Sequence, residues 1–253
     1  MALNSLLTPL EALNGNLSVW LEDTSTGETA FFRPDAPHIA ASVIKLGALL
    51  TAFEDFESGR LDPNALYTLR EQDKVPSCGA LTYMHAGLQV SYLDLATLMI
   101  ILSDNTATNI LADALGLERI NLCLARYGLG DMRFCRKMFD AQAAAKGIQN
   151  TVTARSVAAF FRKLLAGELV SPGVSRQMLK ILGDQRLNGK MPFYLHSMGI
   201  DVAHKTGEDD GTTHDAGIIY AKHPVIAVFL SNDTDVPAFE RYIQDSAREL
   251  ARI

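Results

Sequence analysis

The chain is poor in the features that would assign it to several large groups of proteins. Its 253 residues hold three cysteines, Cys78, Cys123 and Cys135, so at least one thiol stays unpaired and no disulfide framework is built. Free thiols suit a reducing compartment. No apolar run reaches membrane-spanning length, since even TLMIILSD is soon interrupted by charge. The N-terminus, MALNSLLTPLEALNGN, lacks the basic start, continuous apolar stretch and small-residue cleavage site of a secretory leader. As written the chain reads as cytoplasmic, and as periplasmic or secreted if a leader has been removed. A basic excess is also missing. The 23 Lys and Arg against 29 Asp and Glu give a formal charge of −6, which argues against a nucleic-acid partner. The six histidines show no H-x-H or H-E-x-x-H spacing, which argues against a zinc hydrolase. There is no Gly-x-Ser-x-Gly elbow, no phosphate loop, no internal repeat and no low-complexity linker.

What remains is ordinary for a globular protein with a sizeable core: 48% hydrophobic and 21% charged residues, enough for one large domain or two intimately packed ones. Asn4 to Leu13 carries apolar residues at Leu6, Leu7, Leu10 and Leu13, a helical spacing. LSVWLED alternates, TSTG supplies a turn and ETAFFR returns, which predicts a β-hairpin. From His38 to about Gly183 the periodicity is mostly helical, beginning with AASVIKLGALLTAFEDFESG as one long helix ending near Gly59. VAHKTG, HDAGIIYA and VIAVFLSND then have strand character, and Val236 to Ile253 forms an amphipathic closing helix. A lone hairpin is only marginally stable, so the two terminal segments must meet in one sheet. The expectation is a discontinuous α/β domain, residues 1–37 with 184–253, and an all-α domain over 38–183. A ligand site is expected in the cleft between them.

Three short polar motifs punctuate these elements. Ser42 and Lys45 lie three apart near the start of an apolar helix, on one face and one turn apart. A serine hydroxyl is a poor nucleophile until a base takes its proton. A lysine serves as that base only if burial or a neighbouring positive charge destabilises its ammonium, and Lys205 is a candidate for that charge. In isolation the pair is a helix-start serine and a snorkelling lysine, but a lysine within VIKLGALL has few solvated positions. Ser103-Asp104-Asn105 lies at a junction between two apolar helices. Ser103 is the candidate proton relay to a leaving nitrogen, and Asn105 a hydrogen-bonding partner for a lysine and an acyl side chain. Asp104 is assigned to helix capping. Lys205-Thr206-Gly207 ends a strand: Lys205 and Thr206 would hold a substrate carboxylate by charge-assisted bonds, and Gly207 leaves room against the strand edge. The backbone N–H groups of Ser42 and Glu208 complete the set as an oxyanion hole.

With all three motifs in this order, the chain resembles the class A β-lactamases and their relatives among penicillin-binding serine hydrolases. The likeness covers nearly the whole chain, including VPSCGALTYMHAGLQVSYLDLATLMIILSDNTATN and TARSVAAFFRKLLAGELVSP. It implies a β-lactamase/transpeptidase-like fold, α/β plus all-α, with a mainly antiparallel sheet flanked by helices and an inserted helical domain. It implies acylation of Ser42 by a β-lactam or a peptide-like amide, with no metal or organic cofactor, in a monomer. The family's loop normally reads Arg-x-Glu-x-x-Leu-Asn, with the glutamate activating the deacylating water. Here it reads RFCRKMFDAQAAAKGIQNTVTA, without a glutamate. If Arg136 is the loop's arginine, Met138 takes the glutamate's place and Asp140 falls two residues later. Asp140 either acts as the general base by a different path or anchors the loop to a cation. The arginine that often follows the KTG strand is absent from EDDGTTHDAG, which leaves Arg241 as a remote substitute. Glu208, Asp209 and Asp210 load the same edge with negative charge, disfavouring highly anionic substrates. The expected activity is β-lactam hydrolysis with weak turnover. The alternatives are a D-alanyl-D-alanine peptidase, an esterase, or a β-lactam or muropeptide sensor that is acylated and stalls.

Overall fold

The computed structural model describes residues 3–76 and 78–253; Met1, Ala2 and Ser77 lie outside them. In chain order the elements are β1 (Asn16–Asp23), β2 (Thr29–Phe32), β3 (His38–Ile39), α1 (Lys45–Glu57), β4 (Leu66–Thr68), β5 (Gln89–Ser91), α2 (Tyr92–Ile101), α3 (Asn105–Leu115), α4 (Leu117–Arg126), α5 (Ala141–Ala145), β6 (Thr151–Val152), α6 (Ala154–Leu165), α7 (Pro172–Gly183), α8 (Pro192–Leu195), β7 (Val202–Asp209), β8 (Thr212–Tyr220), β9 (Pro224–Asn232) and α9 (Val236–Leu250). The main sheet is antiparallel, in the order β2-β1-β9-β8-β7. The N-terminal hairpin and the three C-terminal strands meet where β1 pairs with β9, Asn16 opposite Asn232 through Asp23 opposite Val225. That pairing gives the hairpin the third strand it needs to be stable. Strand β7 is left as an open edge.

Both faces of the sheet are covered, so its central strands are buried throughout rather than alternating between buried and exposed: β1 and β9 are buried along nearly their whole length. On one face Leu3, Leu6 and Leu10 join Phe239, Tyr242, Ile243 and Leu250 of α9. On the other, Trp20, Ile218 and Val228 meet the larger core, centred on α1, where Leu46, Leu49, Leu50 and Phe53 are all buried. At Gly47 an added Cβ would stand 2.9 Å from Leu124 Cδ1, so the glycine sets how closely α1 and α4 approach.

Two helices differ from their expected form. The opening segment, Leu3–Ala12, is a 3₁₀ helix with Pro9 inside it, a residue that lacks the N–H an α-helix interior requires. The segment expected as one helix from Ala40 begins instead as a 3₁₀ turn, Ala41–Ile44, and becomes α-helical only at Lys45. Ala41 enters that turn with φ +43°, in the left-handed region that costs a residue with a Cβ roughly 1–3 kcal/mol. Between β3 and α7 the chain also carries two small two-stranded pairings, β3 with β6 and β4 with β5.

Candidate active site

A cavity of about 550 Å³ runs between the β7 edge, the Ala41–Ile44 turn and the 136–150 loop. Ser42, Ser103, Asn105, Thr206, Gly207 and Glu208 all line it, so residues far apart in sequence converge on one wall. Ser42 sits in the first turn of the 3₁₀ segment, where helix-start N–H groups lack intrahelical partners, ahead of the first bond of the turn from Val43 N to Ala40 O at 3.0 Å. Strand β7 runs so close to this turn that a side chain at Gly207 would press on its neighbours. A Cβ on Gly207 would lie 3.0 Å from His214 Cδ2, 3.2 Å from Val43 Cγ2 and 3.3 Å from Ala40 O.

Lys45 is fully buried one turn beyond Ser42. Its ammonium donates to Ser103 O at 2.7 Å, Ser103 Oγ at 3.0 Å and Asn105 Oδ1 at 2.7 Å. Burial pushes its pKa down to about 7, against the opposing pull of Cys78 and Asp104. Lys205, equally buried, donates to the same Ser103 Oγ at 3.1 Å and to Thr206 O at 2.8 Å. Burial, and after it the charge of Lys45, holds Lys205 well below the ordinary lysine range. The sequence suggested that Lys205 would depress Lys45. In the structure burial dominates for both, and the electrostatic pressure falls on Lys205.

Ser103 reaches these lysines through a turn with φ +52°, again left-handed. Asp104, next to it, is structural: its carboxylate caps α3 at Ala107 N (2.9 Å) and accepts from Ala80 N (2.7 Å) and Leu81 N (2.8 Å). Asn105 presents Oδ1 to Lys45 and turns Nδ2 toward Cys78 Sγ, 4.0 Å away at the cleft rim. Cys78, Cys123 and Cys135 are all free thiols, Cys123 in the core.

The 136–150 loop is the second wall. The Asn109 side chain grips the backbone of Met138 at both ends, accepting from Met138 N at 2.8 Å and donating to Met138 O at 3.0 Å. The Met138 backbone is thereby held where the residue lines the cavity. Asp140 also lines the cavity, but Oδ1 accepts from Ala143 N at 2.9 Å as the N-cap of α5. Capping, rather than an ion pair, is the anchoring role its hydrogen bond describes. Asn150 closes the loop's neck through Cys135 N, Arg136 N and Arg136 O.

Two histidines stand at the edge of the sheet, His204 on β7 itself and His214 opposite Gly207 on β8. His214 accepts from Ser231 N at 3.0 Å through Nδ1 and donates from Nε2 to Ile39 O at 2.8 Å, and burial pushes its pKa down to about 3. His204 pairs with Asp215 at 2.7 Å. Beside β7 lies Lys190, 3% exposed, 3.0 Å from Glu208 Oε1. The Glu208 charge, read from the sequence as part of an unrelieved acidic edge, is therefore compensated, while Asp209 and Asp210 stay exposed. Arg241 is exposed on α9 and is not among the residues lining the cavity. Sequence reasoning missed Asn109 and Lys190. The available signal was a polar residue amid apolar neighbours, NILADAL for the first and KMPF for the second.

Among the described residues no helix is long and apolar enough to cross a membrane, and no group of three His, Cys, Asp or Glu side chains is arranged to hold a metal ion.

The architecture is that of the class A β-lactamase fold. A β-lactamase from Sphaerobacter thermophilus has a crystal structure that superposes with a TM-score of 0.91 at 29% identity, over 99% of this chain and 96% of that one. The structure of PBP-A superposes at 0.88 with 25% identity, over 99% and 94%. In sequence, β-lactamase FAR-1 of Nocardia farcinica is 29% identical over 242 residues, 90% of this chain and 74% of its own. Residues 2–253 match the β-lactamase enzyme family, and the chain belongs to it.

Proposed function

We propose that this protein is a serine hydrolase that opens the cyclic amide of β-lactams by acylating Ser42, and that it releases the acyl group slowly. The observation that carries the reading is the buried lysine pair meeting at Ser103 Oγ beside the Ser42 turn. Family membership and β-lactamase relatives such as FAR-1 support the substrate class. Neutral Lys45 takes the Ser42 proton as Oγ adds to the lactam carbonyl. The oxyanion is held by the N–H groups of Ser42 and Glu208, each worth roughly 2.7–4 kcal/mol in the transition state. Ser103 passes its proton to the departing nitrogen and recovers one from Lys45, so the proton taken from Ser42 ends on the opened ring. Lys205 and Thr206 hold the substrate carboxylate, and Asn105 the acyl amide. The substrate is a β-lactam or a similarly shaped peptide-like amide.

Slow release follows from the loop. Deacylation needs a base within about 3.2 Å of the attacking water. A methionine stands where the resemblance expects that base, and the carboxylate of Asp140 is engaged in capping α5. This favours a second reading, a penicillin-binding peptidase. A variant of PBP-A, 26% identical to this chain, is described as an acyl-enzyme complex with penicillin G, so a related chain forms such an ester.

Intact-protein mass followed over time after mixing with penicillin G, beside Ser42→Ala, separates these readings. An adduct that is absent from Ser42→Ala and decays as penicillin is consumed supports hydrolysis. A Ser42-dependent adduct that persists supports the penicillin-binding reading. Labelling of Ser42→Ala at the parent rate overturns both.

A further inference from the structure

Lys190 takes no part in the chemistry above, yet it is a buried lysine against the back of the strand that receives the substrate. It lies in the segment joining α7 to α8, and its Nζ reaches Gly207 O at 3.4 Å and His214 O at 3.2 Å, carbonyls on facing strands. Glu208 Oε1 at 3.0 Å and Glu240 Oε1 at 3.9 Å supply its counter-charge. Glu240 is itself fixed by a bond from Thr213 Oγ1 at 2.9 Å.

The Gly207 carbonyl belongs to the same peptide unit as the Glu208 N–H. A donor on the oxygen of an amide draws electron density from its nitrogen and makes the N–H a stronger donor, and chains of hydrogen bonds polarise one another in this way. An ammonium is a stronger donor than a neutral group. We propose that Lys190 is a positioning residue for acyl transfer, polarising the Gly207–Glu208 peptide from behind so that its N–H binds the developing oxyanion more strongly. The inference rests on the assignment of Glu208 N–H to the oxyanion hole.

Its effect falls on the chemical step and not on substrate capture, because the Lys190 ammonium is buried, balanced by Glu208 and Glu240, and not among the residues that line the cavity. Full-length Lys190→Met and Lys190→Gln are compared with the parent by stopped-flow acylation with penicillin G, with melting temperatures as a check on folding. In Lys190→Met the limiting acylation rate drops about tenfold, a fraction of the loss from removing a whole donor, while half-saturation is unchanged. Lys190→Gln, which keeps a donor without the charge, falls between and carries the test if the methionine variant does not fold. Infrared difference spectra of the acyl-enzyme, with the carbonyl carbon isotopically labelled, read the hole directly. The ester carbonyl stretch rises in frequency in both variants as the hydrogen bond weakens.

A carbonyl band and limiting rate in Lys190→Gln equal to the parent's overturn the inference while leaving the acyl-enzyme reading intact. A rise in half-saturation at an unchanged limiting rate also overturns it, since that marks a role in substrate binding. If the parent itself forms no Ser42 ester, the underlying reading has failed instead.

Discussion

Lys45 and Lys205 meet at a single oxygen: their ammonium groups lie 3.0 and 3.1 Å from Ser103 Oγ, all three groups buried. With both lysines charged, that oxygen accepts twice and its hydrogen must turn outward, toward the cleft. The same crowding makes one proton easy to lose. Burial holds Lys45 at about 7, and burial together with the Lys45 charge holds Lys205 well below the ordinary lysine range, so the pair gives up a proton easily and leaves a usable base beside Ser103.

The acylation rate should therefore rise with pH through about 7, because the reactive form of Lys45 is the unprotonated one. Stopped-flow acylation between pH 5.5 and 8.5 checks this, and a flat profile would remove Lys45 as the base. Lys45→Ala should lose acylation by a factor of roughly 10³ or more while keeping its fold, as expected when a nucleophile loses its activating base. Parent-like labelling of a folded Lys45→Ala would have the same meaning.

Under the proposed function, Met138 stands at the position where the family resemblance expects the deacylating base. Asn109 fixes the Met138 backbone through both N–H and C=O, so a polar side chain of similar length would start from the same Cα at the cavity wall. Met138→Glu should shorten the lifetime of the penicillin adduct by roughly 10²-fold or more, the usual reach of a general base, with acylation little changed. Asp140→Asn should leave that lifetime as it is, since asparagine caps a helix as well as aspartate. If Asp140→Asn prolongs the adduct and Met138→Glu does nothing, Asp140 is the base after all.

Much of this was legible in the sequence because the motifs stand at element ends. The apolar periodicity around Ser42, Ser103 and Lys205 brackets each motif closely, and the need of the N-terminal hairpin for further strands predicts that the terminal segments meet in one sheet, as they do through β1 and β9. The missing glutamate was equally plain. What stayed hidden depends on distances between segments remote in sequence. That Ser103 Oγ serves two lysines, that Asn109 holds Met138, and that Lys190 meets Glu208 are properties of packing without periodicity. Left-handed φ at Ala41 and Ser103 is similarly silent, since neither residue is one that favours that conformation.

Acid should loosen the fold before the carboxylates titrate. Burial pushes His214 to about 3 and His38 to about 4, both below the unfolded value of 6.5. The unfolded chain therefore binds protons that the folded chain refuses. Stability from these groups is fully present above pH 6.5 and falls as pH drops toward 4, by about 1.4 kcal/mol per unit for each histidine. Urea unfolding at pH 7.5, 6 and 5 measures the slope, and His38→Gln should remove about half of it. An unchanged slope in that variant would rule out His38 as a contributor.

The approach of β7 to the nucleophile turn rests on one missing carbon. Gly207→Ala would place a Cβ 3.2 Å from Val43 Cγ2 and 3.3 Å from Ala40 O, tighter than ordinary contact on both sides. Ala40 is anchored by its N–H to Asn150 O at 2.8 Å, and β7 is tied to β8 along its whole length, so neither neighbour yields freely. The strand edge should move off the turn by a few tenths of an ångström, separating the N–H of Glu208 from that of Ser42. Weakening one oxyanion donor costs up to roughly 10²-fold in rate, so acylation should slow by about ten- to a hundredfold with a modest loss of stability. Acylation kinetics and melting temperature together decide it. A variant that acylates at the parent rate would mean that the two N–H groups need no such close approach.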